Sequence, residues 1–184
     1  QSSAMKKALE KPKEAVDALT TLAKESGFIP VAVDIDSLAA GRALGELDSA
    51  LLVDIGDSLS QITVFQGGCP VAARTVAIGG RNFTVDIMRV LGLTYQEAEL
   101  LKVRQDGLLR PVNADDGTEV SAKLAATVTE LSREIVQTSE YYKMQNKAAV
   151  IDKVVLLLLS HNVQQLTSLI VQKLPRMLPT APAA

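Results

Sequence analysis

Three β-strand patterns that follow one another closely in the middle of the chain constrain its fold most. They cover residues 50–55, 60–66 and 70–78. The connections between them are short, with Gly56-Asp57-Ser58 after the first pattern and Gln66-Gly67-Gly68 after the second. Strands joined in this way pair antiparallel, because a parallel pair needs a crossover of about a dozen residues or more. The sequence therefore predicts a three-strand antiparallel meander.

Further helix and strand patterns lie on both sides of the meander. Before the meander, apolar spacing, capping residues and glycines predict a helix over 12–24 that Gly27 ends, a strand over 29–33 and a helix capped by Ser37. After it, the same signals predict a helix from Phe83 to Gly92 and another that begins at a Thr94–Glu97 capping box. A long helix over 119–145, a strand over 150–158 and a helix over 163–174 follow. A meander followed by helices and another strand favours an α/β fold with a mixed sheet and flanking helices. This order is shared by the ribonuclease H-like half-domain that actin-like ATPases use twice, an analogy that by itself assigns no function.

Composition excludes several classes of partner. Lys and Arg number 19 and Asp and Glu 21, which gives a net charge of −2, so no nucleic-acid partner is expected. The longest apolar run covers the six residues 154–159, whereas a membrane span needs about 20. We therefore expect no direct membrane span. Cys69 is the single cysteine, which excludes an internal disulfide and fits a reducing compartment.

The strongest local signal for chemistry lies at the end of the first strand. Asp54 ends a buried strand, and Gly56 follows two residues later in a tight turn. A glycine there lets backbone N–H groups approach a phosphate without a Cβ in the way. The Asp54 carboxylate could then hold Mg²⁺ through water at that phosphate. The alternative interpretation is an ordinary Asp-Gly turn.

Several segments taken together resemble PilM, the family of actin-like proteins of type IV pilus assembly that is related to the cell-division protein FtsA. The resemblance is carried by the segments DIGDSLSQ at 54–61, GGRNFT at 79–84 and AELLK at 98–102, and it extends over about residues 10–175. It implies that residues 50–174 form the second half of an actin-like protein. Residues 1–49 would then be the end of the first half with part of its inserted subdomain, and 175–184 a Pro-rich tail.

The resemblance also implies a nucleotide site for ATP and Mg²⁺. In this site the hairpin supplies Asp54 as the metal ligand, and the helix after the meander begins at the Gly79-Gly80 pair and carries Thr84. The full set of implied nucleotide-binding residues is Asp54, Gly56, Ser58, Ser60, Gly79, Gly80, Glu99 and Lys102. Glu99 and Lys102 would approach the ribose and adenine. Two alternatives stay open: the glycine pair turns the chain into a helix, and the Glu99–Lys102 pair is an i,i+3 surface contact worth a few tenths of a kcal/mol, on the order of 0.2–0.5.

The chain departs from the family pattern at three places. Leu59 and Ser60 stand where the family has small hydroxyl residues, usually two Thr, and Gln61 replaces an acidic or small polar residue. Leucines at 157–159 replace the glycine run of the adenine loop, and His161 beyond them is expected to cap a helix. The first phosphate hairpin has no match before residue 50, so we do not expect this chain alone to hydrolyse ATP.

The resemblance implies a cytoplasmic scaffold at the inner face of the inner membrane. Such a scaffold binds the cytoplasmic tail of PilN, a membrane-anchored partner, with ATP as a structural ligand or switch, and a homo-oligomer is compatible with it. Three alternatives remain open: an ATPase proper, for which Asp54 and Ser60 are the nearby candidates to position water, a nucleotide-free structural module of the same fold, and an FtsA-like or type II secretion protein.

Overall fold

The computed structural model describes residues 3–45, 47–104, 119–147, 149–158 and 170. The chain divides into two compact units, residues 1–43 and 44–184. The corresponding boundary predicted from the sequence lies between residues 49 and 50. The predicted helix over 163–174, His161 and the predicted tail lie outside the described residues, Ile170 excepted. Among the helices that the structure describes, none is both long and apolar enough to cross a membrane.

The first unit contains two helices. α1 (Ser3–Glu25) ends as predicted at Gly27, where φ is 84° and the Phe28 amide donates to the Ala23 carbonyl. α2 (Asp36–Leu44) begins one residue before Ser37, its predicted cap. The strand predicted over 29–33 is wrong, because residues 28–35 form no regular structure and Val31 is 97% exposed. A strand requires hydrogen bonds to a neighbouring strand, and no strand in the described part of the chain pairs with this segment.

The second unit is built on a four-stranded sheet. Its strands are β1 (Ser49–Ile55), β2 (Ser60–Gln66), β3 (Cys69–Val76) and β4 (Lys153–Leu158), in the order β3-β2-β1-β4. β1 and β2 pair antiparallel, as do β2 and β3, which confirms the predicted meander. β4 pairs parallel with β1. The sheet is therefore mixed, with flanking helices, as predicted.

Three helices accompany the sheet: α3 (Gly80–Leu91), α4 (Tyr95–Arg104) and α5 (Glu119–Gln145). One sheet face and the inner faces of α3 and α5 form a core of aliphatic side chains and one aromatic ring. Its most buried members include Leu51, Val53, Ile62, Val64, Phe83, Ile87, Leu124, Val128, Leu131 and Ile135. The last four of these lie on α5, the long helix predicted over 119–145. The register of β1 and β2 places these strand residues on one face of the sheet, because Leu51 is opposite Val64 and Val53 is opposite Ile62.

The connection from α3 to α4 follows the predicted helix signals. Gly92 ends α3 in the left-handed region, with φ 65°. The Thr94 hydroxyl and amide then both donate to the Glu97 carboxylate, at 2.7 and 2.9 Å, and the Glu97 amide donates back to the Thr94 hydroxyl at 3.4 Å. This is the predicted capping box, and it fixes the start of the helix that carries Glu99 and Lys102.

Candidate functional site: the β1–β2 turn and the start of α3

The turn between β1 and β2 is tight because Gly56 has no side chain. The Gly56 amide donates to the Leu59 carbonyl at 3.0 Å, and a Cβ on Gly56 would lie only 2.9 Å from that oxygen. Asp57 and Ser58 are exposed at the tip, where the Ser58 hydroxyl donates to Asp57 Oδ2 at 2.7 Å. The turn therefore presents a carboxylate and a hydroxyl to solvent.

α3 begins directly against this turn. The Gly80 amide donates to the Gly56 carbonyl at 2.9 Å, and the Arg81 amide donates to the Asp57 carbonyl at 2.7 Å. A Cβ on Gly79 would lie 2.4 Å from the Asp57 carbonyl oxygen, so only glycine allows this approach. The first donors of α3 are thus satisfied by the turn, which joins the hairpin and the helix into one junction.

Side chains of α4 complete the junction. Lys102 Nζ donates to the Gly80 carbonyl at 3.2 Å and to Thr84 Oγ1 at 2.9 Å, and it lies 2.8 Å from Glu99 Oε2. Thr84, which is fully buried, donates to Glu99 Oε2 at 2.5 Å. The Lys102 side chain is 17% exposed and that of Glu99 37%. The Glu99–Lys102 pair is therefore more than a surface contact, because it also holds α4 against the start of α3.

Asp54 and Ser60 lie at the sheet end of the turn and have different surroundings. Asp54 is half-buried, in register with Gln61 on β2 and Leu157 on β4. Ser60 is fully buried, and its hydroxyl donates to the Ile78 carbonyl at 2.6 Å. The geometry gives the Ser60 hydroxyl a structural use, while Asp54 lies where the strand meets the turn.

One ion pair of the junction was not anticipated from the sequence. Arg81 Nε lies 3.3 Å from Asp57 Oδ2, and its guanidinium lies 6.0 Å from the centre of the Tyr95 ring. The available signal was Arg81 directly after the glycine pair, since the second residue of a helix that starts at a turn projects near that turn.

A cavity of about 560 Å³ opens on another side of α3, between this helix and α5. Ser58 and Arg81 line one part of it, and Thr127 on α5 donates to Asp86 on α3 at 2.6 Å. This cavity was not predicted from the sequence, because much of its wall comes from two helices that are distant in the chain, with a separation of 41 residues between Asp86 and Thr127.

The structure thus brings most of the predicted site residues to one junction. Gly56 and Ser58 on the turn, Gly79 and Gly80 at the helix start, and Glu99 and Lys102 on α4 are connected through the hydrogen bonds above. Leu157, at the predicted departure from the family pattern, lies within β4 beside Asp54. Residues 159–161 lie outside the described residues. Whether the eight residues bind a nucleotide stays a prediction.

The residues present fit ATP and Mg²⁺ in part. Gly80 lets the charged pair lie close to the backbone at the start of α3, since a Cβ there would be in ordinary contact with Lys102 Nζ, at 3.5 Å. Mg²⁺ at a phosphate is held by one or two carboxylates and water, a need that Asp54 can meet. No group of three or more metal-ligating side chains occurs among the described residues. The Asp57 carboxylate is the feature that fits least, because it occupies the turn with negative charge.

Comparison with known proteins assigns the family. A family model described as cell division protein FtsA matches residues 51–177. The chain belongs to this family. Over 72 residues it is 38% identical to the cell division protein FtsA of Bacillus subtilis (strain 168), and over 53 residues it is 38% identical to that of Staphylococcus epidermidis (strain ATCC 12228). These matches cover 37% and 29% of the chain but only 16% and 11% of the relatives.

Solved structures show the fold of this FtsA-family chain. The PilM–PilN type IV pilus biogenesis complex matches with a TM-score of 0.65 at 22% identity, over 89% of this chain and 46% of that one. MreB5 of Spiroplasma citri bound to ADP matches with a TM-score of 0.62 at 18% identity, over 85% and 57% of the two chains. The predicted actin-like fold is therefore confirmed. The likeness to PilM is one of structure, while the sequence comparison shows the FtsA family.

Proposed function

We propose that this FtsA-family chain belongs to an actin-like scaffold protein of type IV pilus assembly whose second half contributes a nucleotide site. The observation that carries the proposal is the junction at which Gly80, Thr84, Glu99 and Lys102 meet the β1–β2 turn. The junction has a fixed shape before any ligand arrives, because Lys102, Thr84 and Glu99 already contact one another through hydrogen bonds and an ion pair. Such a preformed group of polar side chains at the start of a helix suits a small-molecule ligand.

Each residue of the junction has a definite task in this proposal. Lys102 and Glu99 would exchange contacts within the junction for contacts with the ribose and adenine of a bound nucleotide, while Thr84 holds both side chains in place. Asp54 would hold the Mg²⁺ of a bound Mg-ATP, and that ion neutralises phosphate charge when it is present. The chain's own residues favour binding over hydrolysis, since Ser60 is fully buried and its hydroxyl donates to the Ile78 carbonyl.

The partner proposed is the cytoplasmic tail of a PilN-like inner-membrane protein, which places the scaffold at the cytoplasmic face of that membrane. The support is the structural match to PilM in a complex with PilN, which extends over 89% of the chain. The protein made from the complete reading frame should release or absorb heat in calorimetry when titrated with a PilN tail peptide, and a scrambled peptide should not. Equal signals from both peptides, or none from either, would contradict this partner.

A matched pair of lysine variants tests the nucleotide site. Mg-ATP should raise the melting temperature of the chain as its concentration increases, because a ligand stabilises the state that binds it. Lys102→Met should abolish most of this increase by removing the donor at the junction, whereas Lys147→Met, at an exposed lysine beyond the end of α5, should keep it. If millimolar Mg-ATP leaves all three melting temperatures unchanged, the chain is a nucleotide-free module of the same fold.

A function in cell division is the second candidate. The FtsA family model over 51–177 and the 38% identity to the Bacillus subtilis protein favour it. Deletion of the gene separates the two candidates: loss of surface pili with normal division supports the pilus scaffold, and filamentous undivided cells with normal pili support the division protein.

A further inference from the structure

We propose that Asp57 acts as an internal anion that competes with phosphate groups for the β1–β2 turn and thereby lowers the preference of the site for nucleotides over nucleosides. The inference rests on the proposed nucleotide function and names the residue that sets its ligand preference. It comes from the contacts of the turn.

The Asp57 carboxylate already holds the two donors at the turn that suit a phosphate. Its Oδ2 accepts from the Ser58 hydroxyl at 2.7 Å and faces Arg81 Nε at 3.3 Å. A hydroxyl and a guanidinium at one turn are the donors that a phosphate oxygen would use. The Asp57 carboxylate interacts with both donors and therefore occupies the place of a phosphate oxygen.

The backbone keeps the Asp57 carboxylate at this position. The Asp57 carbonyl accepts from the Arg81 amide at 2.7 Å, and it is the oxygen that the missing Cβ of Gly79 leaves room for. The residue that carries the carboxylate is therefore fixed by main-chain contacts, whereas its side chain and that of Arg81 are 58% and 59% exposed. An exposed ion pair is weak, so a phosphate can displace the carboxylate, but at reduced affinity.

The competition has an electrostatic consequence that depends on phosphate number. A carboxylate beside the turn repels the several charges of ATP and leaves adenosine, which has no charge, unaffected. The site should therefore discriminate less between ATP and adenosine than the same site without the Asp57 charge. Removing that charge should also release Arg81 for the phosphate.

The test uses the full 184-residue chain and NMR titrations, which measure weak binding through backbone amide shifts. Wild type, Asp57→Asn and a control, Asp48→Asn, are titrated with Mg-ATP and separately with adenosine. Asp48 is exposed and precedes β1, so it lies at the opposite end of that strand from the turn. We expect Asp57→Asn to bind Mg-ATP more tightly than wild type by on the order of tenfold, with adenosine affinity unchanged and with no change for Asp48→Asn.

A second variant keeps the proposal testable if Asp57→Asn does not fold. Arg81→Gln should weaken Mg-ATP and leave adenosine unchanged, because it removes the guanidinium and leaves the Asp57 charge. Equal Mg-ATP affinity in wild type and Asp57→Asn, with adenosine binding measurable in both, overturns the inference and leaves the proposed site intact. Weaker Mg-ATP binding by Asp57→Asn also overturns it, since Asp57 would then be a ligand of the metal. If neither compound shifts any amide in any variant, the nucleotide function itself fails, and the inference fails with it.

Discussion

At the scale of single residues, the junction depends on one missing side chain. Gly79 has an extended backbone, with φ −152°, so an alanine there suffers no conformational strain, but its Cβ would lie 2.4 Å from the Asp57 carbonyl oxygen. We expect Gly79→Ala to lower the free energy of unfolding by about 1–3 kcal/mol, because the contact is with backbone that cannot rotate away. Gly80→Ala is the matched control, since its Cβ would meet its nearest neighbour, Lys102 Nζ, at an ordinary 3.5 Å. Urea denaturation of both variants decides the matter, and equal losses of stability would show that the close contact is not what matters.

Residue-level motifs predicted part of the site and missed the contacts that join it. The family resemblance predicted Gly56, Glu99 and Lys102, because they lie in short segments whose residues can be matched along the chain. The structure brings these three residues to the same junction. The Asp57–Arg81 pair could not be predicted in this way, because it depends on how closely the turn approaches α3. The burial of Ser60 is likewise a property of the assembled sheet, since its hydroxyl partner, the Ile78 carbonyl, lies 18 residues further along the chain.

At the scale of the elements, the start of α4 makes one part of the stability depend on pH. The Thr94 hydroxyl and then the Thr94 amide hold the pKa of Glu97 below its ordinary value of 4.5, because both donate to the charged form. The folded pKa is thus lower than the unfolded one, so this contribution is present above pH 4.5 and is lost as the pH falls through the lowered pKa. Thr94→Ala should therefore lower the melting temperature at pH 7, and the difference from wild type should become smaller at pH 3. A difference of the same size at both pH values would show that the charge of Glu97 plays no part in the cap.

Elements with local signals were predicted well, and an element that needs a partner was not. α5 matches its predicted bounds, 119–145, because a long apolar stripe and its packing face are both local to the helix. The apolar pattern over 29–33 is as typical of a strand as that of β2, yet only β2 has neighbours on both sides. The apolar pattern of a segment indicates whether its side chains suit a sheet, but it does not indicate whether a neighbouring strand is present to pair with it.

At the scale of the whole chain, the buried apolar core that the structure describes lies in the second unit. Among the residues whose burial is described, all members of the core cluster lie at residue 51 or beyond, whereas the first unit exposes Leu19 by 67% and Val31 by 97%. A leucine-to-alanine substitution should therefore reduce stability much more in the second unit than in the first.

Leu131→Ala, at a fully buried site on α5, should lower the free energy of unfolding by about 2–5 kcal/mol, because it leaves a cavity among packed side chains. Leu19→Ala on α1 should change it by no more than about 0.5 kcal/mol, since that side chain already contacts water. Urea denaturation followed by far-ultraviolet circular dichroism measures both. A loss for Leu19→Ala as large as that for Leu131→Ala would show that the first unit buries this leucine in solution, and the assignment of the stabilising core to the second unit alone would then be wrong.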